Sequence, residues 1–133
     1  MAEGDVAVVM LVDDYEDTRQ MMRRMLEMQG CCVREAANGQ EAIALAQSDP
    51  PDLILMDLNM PVLDGFNAML RIREYEPTRD VPVVAVTAYD TAEFRAAASA
   101  VGCTDYVVKP LDLDRLAALL ERLLPAGTAR HSK

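Results

Sequence analysis

Apolar residues in this chain fall into five short runs, each followed by a segment with helical spacing. The runs cover Val6–Val12, Cys31–Ala36, Leu53–Met56, Val81–Val86 and Tyr106–Val108. Most are rich in apolar or β-branched residues, and all are too short for a comfortable helix. Uninterrupted apolar runs of this length are typical of strands that are buried on both faces of a parallel sheet. We therefore predict five strands, with the partly polar run at 31–36 at an edge.

The segments between the runs carry apolar residues at three- and four-residue steps, which predicts helices. The first helix is predicted over 15–29 and ends at Gly30; its inward face comprises Met21, Met22, Met25, Leu26 and Met28. The later helices follow Asn38, follow a predicted loop at 61–65, span 92–101, and carry inward leucines at 113, 116, 120 and 123. Glycines at 30 and 102 have the position expected of C-terminal helix stops.

Strand and helix alternate five times, which predicts a doubly wound α/β domain with a parallel sheet and helices on both faces. The chain has 133 residues, enough for one domain with its own core. We predict a domain over 1–124 and a frayed tail over 125–133. The single histidine, His131, lies in that tail, and we expect it to be solvated.

Composition narrows the functional classes. The net charge is −9, and the longest basic cluster is Arg23-Arg24, so direct nucleic-acid binding is not expected. No apolar run approaches the ~20 residues of a membrane helix, and the acidic start MAEGD does not resemble a signal peptide. We therefore expect a cytoplasmic location. The three cysteines, at 31, 32 and 103, lack metal-binding spacing, and the adjacent Cys31 and Cys32 are expected to be small apolar strand residues rather than a redox pair.

Polar side chains follow four of the five predicted strands. Asp13 and Asp14 follow the first strand, Asp57 the third, Thr87 the fourth and Lys109 the fifth. In an open parallel sheet, ligands bind outside the carboxyl ends of the strands where the strand order reverses. With a strand order of 2-1-3-4-5, these five side chains converge on one pocket.

The residue types in this pocket indicate phosphate chemistry. Three carboxylates need a cation, and Mg²⁺ fits because it prefers oxygen ligands and shares phosphate oxygens; the pocket has no histidine or cysteine to suit zinc. Lys109 supplies a compact positive charge and Thr87 a hydroxyl donor. A lone aspartate at a strand end often only caps the next helix, but four matched strand ends favour phosphoryl transfer onto a carboxylate.

Four segments of the chain resemble the receiver domain of response regulators. They are LVDD at 11–14, LILMDLNMPVLDG at 53–65, VVAVTAY at 83–89 and DYVVKPLD at 105–112. The resemblance covers about residues 6 to 124. It implies a single flavodoxin-like (βα)5 domain with a five-stranded parallel sheet in the order 2-1-3-4-5. It also implies that Asp57 accepts a phosphoryl group from a sensor histidine kinase or a histidine phosphotransfer protein.

The resemblance implies a set of metal ligands. Asp14 and Asp57 would bind Mg²⁺ directly, together with the backbone carbonyl of Asn59, and Asp13 would contribute through water. The two neighbouring acids would thus prepare the site with a cation before any phosphate arrives.

It also implies how the phosphoryl group is held. The Thr87 hydroxyl and the backbone N–H of Ala88 would donate to phosphoryl oxygens, and Lys109 would pair with them. The Lys109–Pro110 peptide bond would be cis. The domain would be no enzyme beyond catalysing its own phosphotransfer and dephosphorylation.

Two further roles follow from the resemblance. Phosphorylation would draw Thr87 toward Asp57 and let Tyr106 swing inward, which would reshape the face of the fourth helix, fifth strand and fifth helix. That face would control a downstream protein and could form a dimer. The side chains of Asn59 and Tyr89 would tune the lifetime of the acyl phosphate by controlling access of water.

The sequence leaves rival hypotheses. One is a phosphatase resembling the haloacid-dehalogenase class, with Asp57-Leu58-Asn59 in place of its DxD motif, although that class places its nucleophile on the first strand. Another is a receiver that docks partners without taking phosphate. We expect a single-domain receiver that acts by protein contact; the alternative is a piece of a larger regulator or hybrid kinase.

Overall fold

A computed structural model of the chain describes residues 6–58, 60, 62–88 and 90–124, except the side chains of 62–64. The strands are β1 (Val8–Val12), β2 (Cys32–Ala36), β3 (Leu53–Asp57), β4 (Val83–Thr87) and β5 (Asp105–Val108). The helices are α1 (Glu16–Met28), α2 (Gly39–Ser48), α3 (Val62–Glu74), α4 (Ala92–Ala100) and α5 (Leu113–Leu123), with a 3₁₀ turn at Glu76–Thr78. Within these ranges the strands form one parallel sheet in the order β2-β1-β3-β4-β5, which confirms the predicted doubly wound fold.

The sheet separates two apolar cores. Alternate residues of each strand point to opposite faces, so Val9 and Leu11 of β1 join one core while Met10 and Val12 join the other. The first core lies beneath α1 and α5, and the second beneath α2, α3 and α4. Strands β3 and β4 are buried along their whole length, as the uninterrupted apolar runs predict. Among the described helices, none is long and apolar enough to span a membrane.

The predicted inward face of α1 is only partly correct. Met22 and Leu26 are buried and Met25 is partly buried, but Met21 and Met28 are 54% and 70% exposed. Successive helical residues point about 100° apart, so Met21 and Met22 cannot both face the sheet. The methionine run is therefore wider than the buried stripe, and it leaves apolar side chains on the outer surface of α1.

Two other sequence expectations need correction. Leu113, predicted to point inward, is exposed because it lies on the outer side of α5. Of the two adjacent cysteines, Cys31 is buried but Cys32 is exposed, since it begins an edge strand.

The predicted loop at 61–65 is also wrong, because α3 already begins at Val62 and Gly65 lies inside it. A Cβ atom at Gly65 would lie 3.3 Å from a methyl carbon of Leu58, so the glycine permits close packing of α3 rather than a turn. The predicted tail at 125–133, with His131, lies outside the described residues.

Side-chain caps fix where three helices begin. Asn38 Oδ1 accepts from the Glu41 N–H at 2.8 Å at the start of α2, and Thr91 Oγ1 and Asp112 Oδ1 serve the same role for α4 and α5. These caps satisfy backbone donors that a helix leaves unpaired at its N-terminus. Some of the polar residues that follow the strands therefore cap helices, and others converge at the carboxyl edge of the sheet.

Arg73, near the end of α3, ties together the amino-terminal edge of the sheet. Its guanidinium donates to the carbonyl of Gly102 at 2.8 and 3.0 Å and to the carbonyls of Arg79 and Val81. Gly102 has a φ of 101°, and a Cβ atom there would lie 3.1 Å from the Arg73 side chain. One side chain thus joins the end of α3, the entry to β4 and the turn before β5.

We predict that Arg73→Ala lowers the free energy of unfolding by about 2–4 kcal/mol, because several backbone carbonyls lose their donor. Urea denaturation of the variant and of Arg71→Ala, an exposed arginine on the same helix, measures the effect. Equal stability of the two variants would contradict the role given to Arg73.

Candidate functional site

The register of the parallel strands brings the predicted site residues to one edge of the sheet. Val12 of β1 pairs with Met56 of β3, so the next residues on these strands, Asp13 and Asp57, lie side by side. Thr87 pairs with Val108 at the ends of β4 and β5, which places Lys109 one residue beyond Thr87. The order 2-1-3-4-5 puts β1 and β3 at the reversal point, where ligands of such sheets bind.

Three carboxylates form a compact cluster at this edge. One oxygen each from Asp13, Asp14 and Asp57 lies within 4.8 Å of the others. Asp13 and Asp57 are buried, at 2% and 5% exposure, whereas Asp14 is exposed. The cluster is therefore open to solvent on one side and enclosed on the other.

Burial and mutual repulsion make the metal-free cluster electrostatically unfavourable. The pKa of Asp13 is raised from 3.8 to about 6, mainly by desolvation and further by the charge of Asp57. The Tyr15 N–H, which donates to Asp13 Oδ1 at 2.9 Å, and the positive charge of Lys109 act in the opposite direction. These two favourable contacts do not fully offset the burial of the Asp13 charge.

Lys109 places a positive charge next to Asp57. Its Nζ lies 3.1 Å from Asp57 Oδ2, and its backbone N–H donates to the carbonyl of Thr87 at 2.7 Å. The Lys109–Pro110 peptide bond is cis, as the resemblance implies. Lys109 thus approaches Asp57 from β5, on the side opposite to Asp13.

The donor set fits a magnesium ion. Mg²⁺ binds oxygen ligands at about 2.0–2.1 Å in octahedral geometry, which separates ligand oxygens by about 3–4 Å. The three carboxylate oxygens lie within 4.8 Å of one another, a spacing at which one ion can be held directly by some carboxylates and through water by another. Among the described residues, the cluster contains oxygen donors alone, a chemistry that suits Mg²⁺ rather than zinc.

A cavity of about 410 Å³ opens beside Asp57, between α1 and the segment that follows β5. Its lining is mostly apolar and comprises Leu11, Val12, Asp13, Thr18, Met21, Met22, Leu55, Asp57, Val86, Lys109, Pro110 and Leu111. The exposed Met21 therefore lies at the approach to the site.

Thr87 and Tyr106 lie on the other side of the site. Thr87 is fully buried at the end of β4, and Tyr106 of β5 is half-buried against α4. The Phe94 ring meets the Tyr106 ring edge-on at 6.4 Å, and the Arg95 guanidinium lies 4.5 Å from the Tyr106 ring centroid. Burial raises the pKa of Tyr106, and a hydrogen bond with the Thr87 side chain opposes that shift. The two predicted switch residues are therefore in contact.

Three predicted site residues remain, and the structure describes one of them. Ala88 directly follows Thr87 and is exposed. Asn59 and Tyr89, predicted to tune the lifetime of a phosphoryl group, lie outside the described residues.

Sequence reasoning missed two arginines that contact the site residues. Arg19 of α1 donates to the backbone carbonyl of Asp13, and Arg95 of α4 covers Tyr106. Arginines are common on helix surfaces, so their presence gave no signal. Only the fold shows which of them point toward the site.

Comparison with known proteins gives a consistent result. The family model described as the response regulator receiver domain matches residues 9–121. Protein PilH of Pseudomonas aeruginosa is 34% identical over 119 residues, which are 90% of this chain and 98% of PilH. Several other curated relatives are longer proteins, and the chain spans 25% and 54% of the length of two of them.

Solved structures agree. The Vibrio cholerae chemotaxis protein CheY4 superposes with a TM-score of 0.84 at 36% identity, covering 90% of this chain and 99% of CheY4. The receiver domain of the sensor histidine kinase PA1611 from Pseudomonas aeruginosa, solved with a magnesium ion in its active-site cleft, gives a TM-score of 0.82 at 34% identity and covers 89% and 97%. By sequence, topology and the residues at its carboxyl edge, this chain belongs to the response regulator receiver domain family.

Proposed function

We propose that Asp57 is the phosphoacceptor of this receiver domain and that its phosphorylation requires Mg²⁺. The observation that carries the proposal is the position of Asp57, which contacts Lys109 on one side and adjoins the carboxylates of Asp13 and Asp14 on the other. A nucleophilic carboxylate placed between a fixed cation and a metal-binding cluster can accept a phosphoryl group. Family membership makes the phosphatase alternative unnecessary.

The metal ligands in the proposal are the carboxylates of Asp14 and Asp57, with Asp13 acting through water and Asn59 through its backbone carbonyl. When bound, Mg²⁺ supplies positive charge against the phosphoryl oxygens. The spacing of the three carboxylates and the raised pKa of Asp13 support this assignment, because both favour addition of a cation.

Phosphoryl transfer to Asp57 forms a bond between a carboxylate oxygen and phosphorus. The bond between phosphorus and the nitrogen of the donor phosphohistidine breaks, and the imidazole leaves with the electron pair. Lys109, the Thr87 hydroxyl and the Ala88 N–H donate to the phosphoryl oxygens and hold the group in line. The domain catalyses this transfer and its own dephosphorylation.

The phosphoryl group then changes the contacts of Thr87. The Thr87 hydroxyl, which lies on the strand adjacent to that of Tyr106, turns toward the phosphoryl oxygens, and Tyr106 moves into the space that Thr87 leaves. Because Tyr106 packs on α4, the face of α4, β5 and α5 changes with it. The phosphoryl group biases two pre-existing arrangements by its different contacts in each.

Partners and location complete the proposal. Receiver domains exchange phosphoryl groups with histidine kinases and act on downstream targets; we propose a sensor kinase or phosphotransfer protein as donor and a protein target, or a second copy, at the α4-β5-α5 face. These donor proteins receive their phosphoryl group from ATP, so we place the domain in the cytoplasm, without direct contact with nucleic acid or membrane.

The domain boundary after residue 124 stays a prediction, as do the tuning roles of Asn59 and Tyr89.

Asp57→Asn is predicted to abolish phosphorylation, since an amide cannot form the acyl phosphate. Intact-mass spectrometry after incubation with acetyl phosphate and Mg²⁺ measures the adduct. Asp17→Asn, an exposed aspartate on α1, is the matched control and retains wild-type labelling. Labelling of Asp57→Asn at the control rate would refute the acceptor assignment.

Asp13→Asn is predicted to stabilise the metal-free protein by about 1–3 kcal/mol near pH 7.5. The folded pKa of about 6 lies above the ordinary 3.8, so ionised Asp13 destabilises the fold above pH 6, and the penalty fades as pH falls toward 4. The stability gap between variant and wild type should therefore narrow at pH 5. Unfolding in EDTA at both pH values measures it; a variant no more stable than wild type would contradict the electrostatic account.

Thr87→Ala is predicted to uncouple Tyr106 from phosphorylation. The variant lacks the hydroxyl that would link the phosphoryl group to the position of Tyr106. The measurement is the aromatic NMR signal of Tyr106, assigned with Tyr106→Phe, before and after acetyl phosphate treatment. Wild type and Ser48→Ala, a distant exposed hydroxyl, should show a shift that Thr87→Ala lacks. An equal shift in all three proteins would disprove the coupling.

A further inference from the structure

Arg19 of α1 bridges the acidic turn and the edge strand β2. Its Nη1 donates to the backbone carbonyl of Asp13 at 2.8 Å, and its Nε donates to Glu35 Oε1 at 2.8 Å. Only 15% of the Arg19 side chain is exposed. One largely buried guanidinium therefore links the residue that begins the carboxylate cluster to a carboxylate on the neighbouring strand.

The contact lies where β1 leaves the sheet. The last paired residues of β1 and β2 are Val12 and Ala36, and the Asp13 N–H still donates to the Ala36 carbonyl at 3.1 Å. Beyond this point the chain turns into α1, so the Asp13 carbonyl lies past the paired strand residues. Arg19 supplies the donor that a continued strand would have provided, and buried backbone carbonyls require one.

This carbonyl belongs to the peptide unit that joins Asp13 to Asp14. Because a peptide unit is planar, fixing its oxygen fixes the direction in which the chain continues to Asp14. The Asp13 carboxylate is oriented separately by the Tyr15 N–H at 2.9 Å. The two acids are thus aimed by different contacts, and the contact at the shared peptide unit comes from Arg19.

Glu35 anchors the guanidinium. Hydrogen bonds from Arg19 first, and from Arg23 as well, hold the pKa of Glu35 below its usual value, so Glu35 remains charged. Arg23 differs from Arg19 in its surroundings: it is 44% exposed and also pairs with Glu27 at 2.9 Å. The two arginines therefore share a partner, but the described contact with Asp13 is made by Arg19.

We propose that Arg19, anchored by Glu35, is a positioning residue for the metal site. It holds the Asp13–Asp14 peptide unit in the orientation that keeps both carboxylates close to Asp57. The inference rests on the proposed function, in which this cluster binds Mg²⁺. A guanidinium suits the role because its N–H donors diverge in a fixed plane and reach two acceptors at once, which a lysine ammonium on a flexible stem does less well. Groups that orient metal ligands in this way commonly change metal affinity when removed.

The test compares Arg19→Ala and Arg19→Lys with Arg23→Ala as the matched control. Calorimetric titration gives the Kd for Mg²⁺ alone, and urea unfolding in EDTA gives the stability of each protein. We expect the Kd to rise about 10-fold in Arg19→Ala. Arg19→Lys recovers only part of the loss, and Arg23→Ala stays close to wild type although it also loses a pair with Glu35.

A purely structural role makes a different prediction. It lowers the unfolding free energy of Arg19→Ala but leaves the Kd of the folded protein unchanged. With a positioning role, phosphorylation by acetyl phosphate is slow at low Mg²⁺ and approaches the wild-type rate when Mg²⁺ is saturating. The inference is overturned if Arg19→Ala binds Mg²⁺ as tightly as wild type, or if Arg23→Ala weakens binding equally.

Glu35→Gln provides a second variant if Arg19→Ala does not fold. It keeps Arg19 but weakens its anchor, and it should raise the Kd in the same direction by a smaller factor; an unchanged Kd counts against the inference. The wild-type titration separates this result from the larger proposal. If wild type itself binds no Mg²⁺, the proposed function fails along with the inference, whereas normal binding in every variant overturns only the role of Arg19.

Discussion

Asp13 and Asp57 lie unfavourably close together at the carboxyl edge of the sheet, and the proposed function depends on this proximity. Lys109 and the Tyr15 N–H offset part of the repulsion and the desolvation, and the raised pKa of Asp13 shows that a deficit remains. A ligand that binds only the folded state adds its binding free energy to stability. The same unfavourable charge density that destabilises the fold without a metal favours binding of a divalent cation, and we propose that this cation prepares Asp57 for a phosphoryl group.

The fold maintains this arrangement through strand register. A shift of one residue in the pairing of β1 with β3 would turn every side chain of the strand to the other face and separate Asp13 from Asp57. The register is fixed because both faces of the central strands are buried in separate apolar cores. The cores thus position the carboxylates, and the helix caps at Asn38, Thr91 and Asp112 begin the helices without using site residues.

Much of this could be predicted from the sequence. Uninterrupted apolar runs indicated buried parallel strands, and the polar residues directly after them indicated the site, because strand ends share an edge. Residues on helix surfaces were harder. The exposure of Met21 and Leu113 depends on the rotation of each helix against the sheet, which apolar spacing fixes only approximately. Arg19 and Arg95 each contact residues on other elements of the fold. The sequence around an arginine on a helix does not show which of those residues it will contact.

We propose that a carboxylate cluster holding Mg²⁺ directs a phosphoryl group to one side chain. Borohydride reduction converts an aspartyl phosphate to homoserine, so peptide mapping after treatment with acetyl phosphate locates the acceptor directly. We expect homoserine at position 57 when Mg²⁺ is present and none when EDTA replaces it. Homoserine at another aspartate, or equal conversion of Asp57 without a divalent cation, would contradict it.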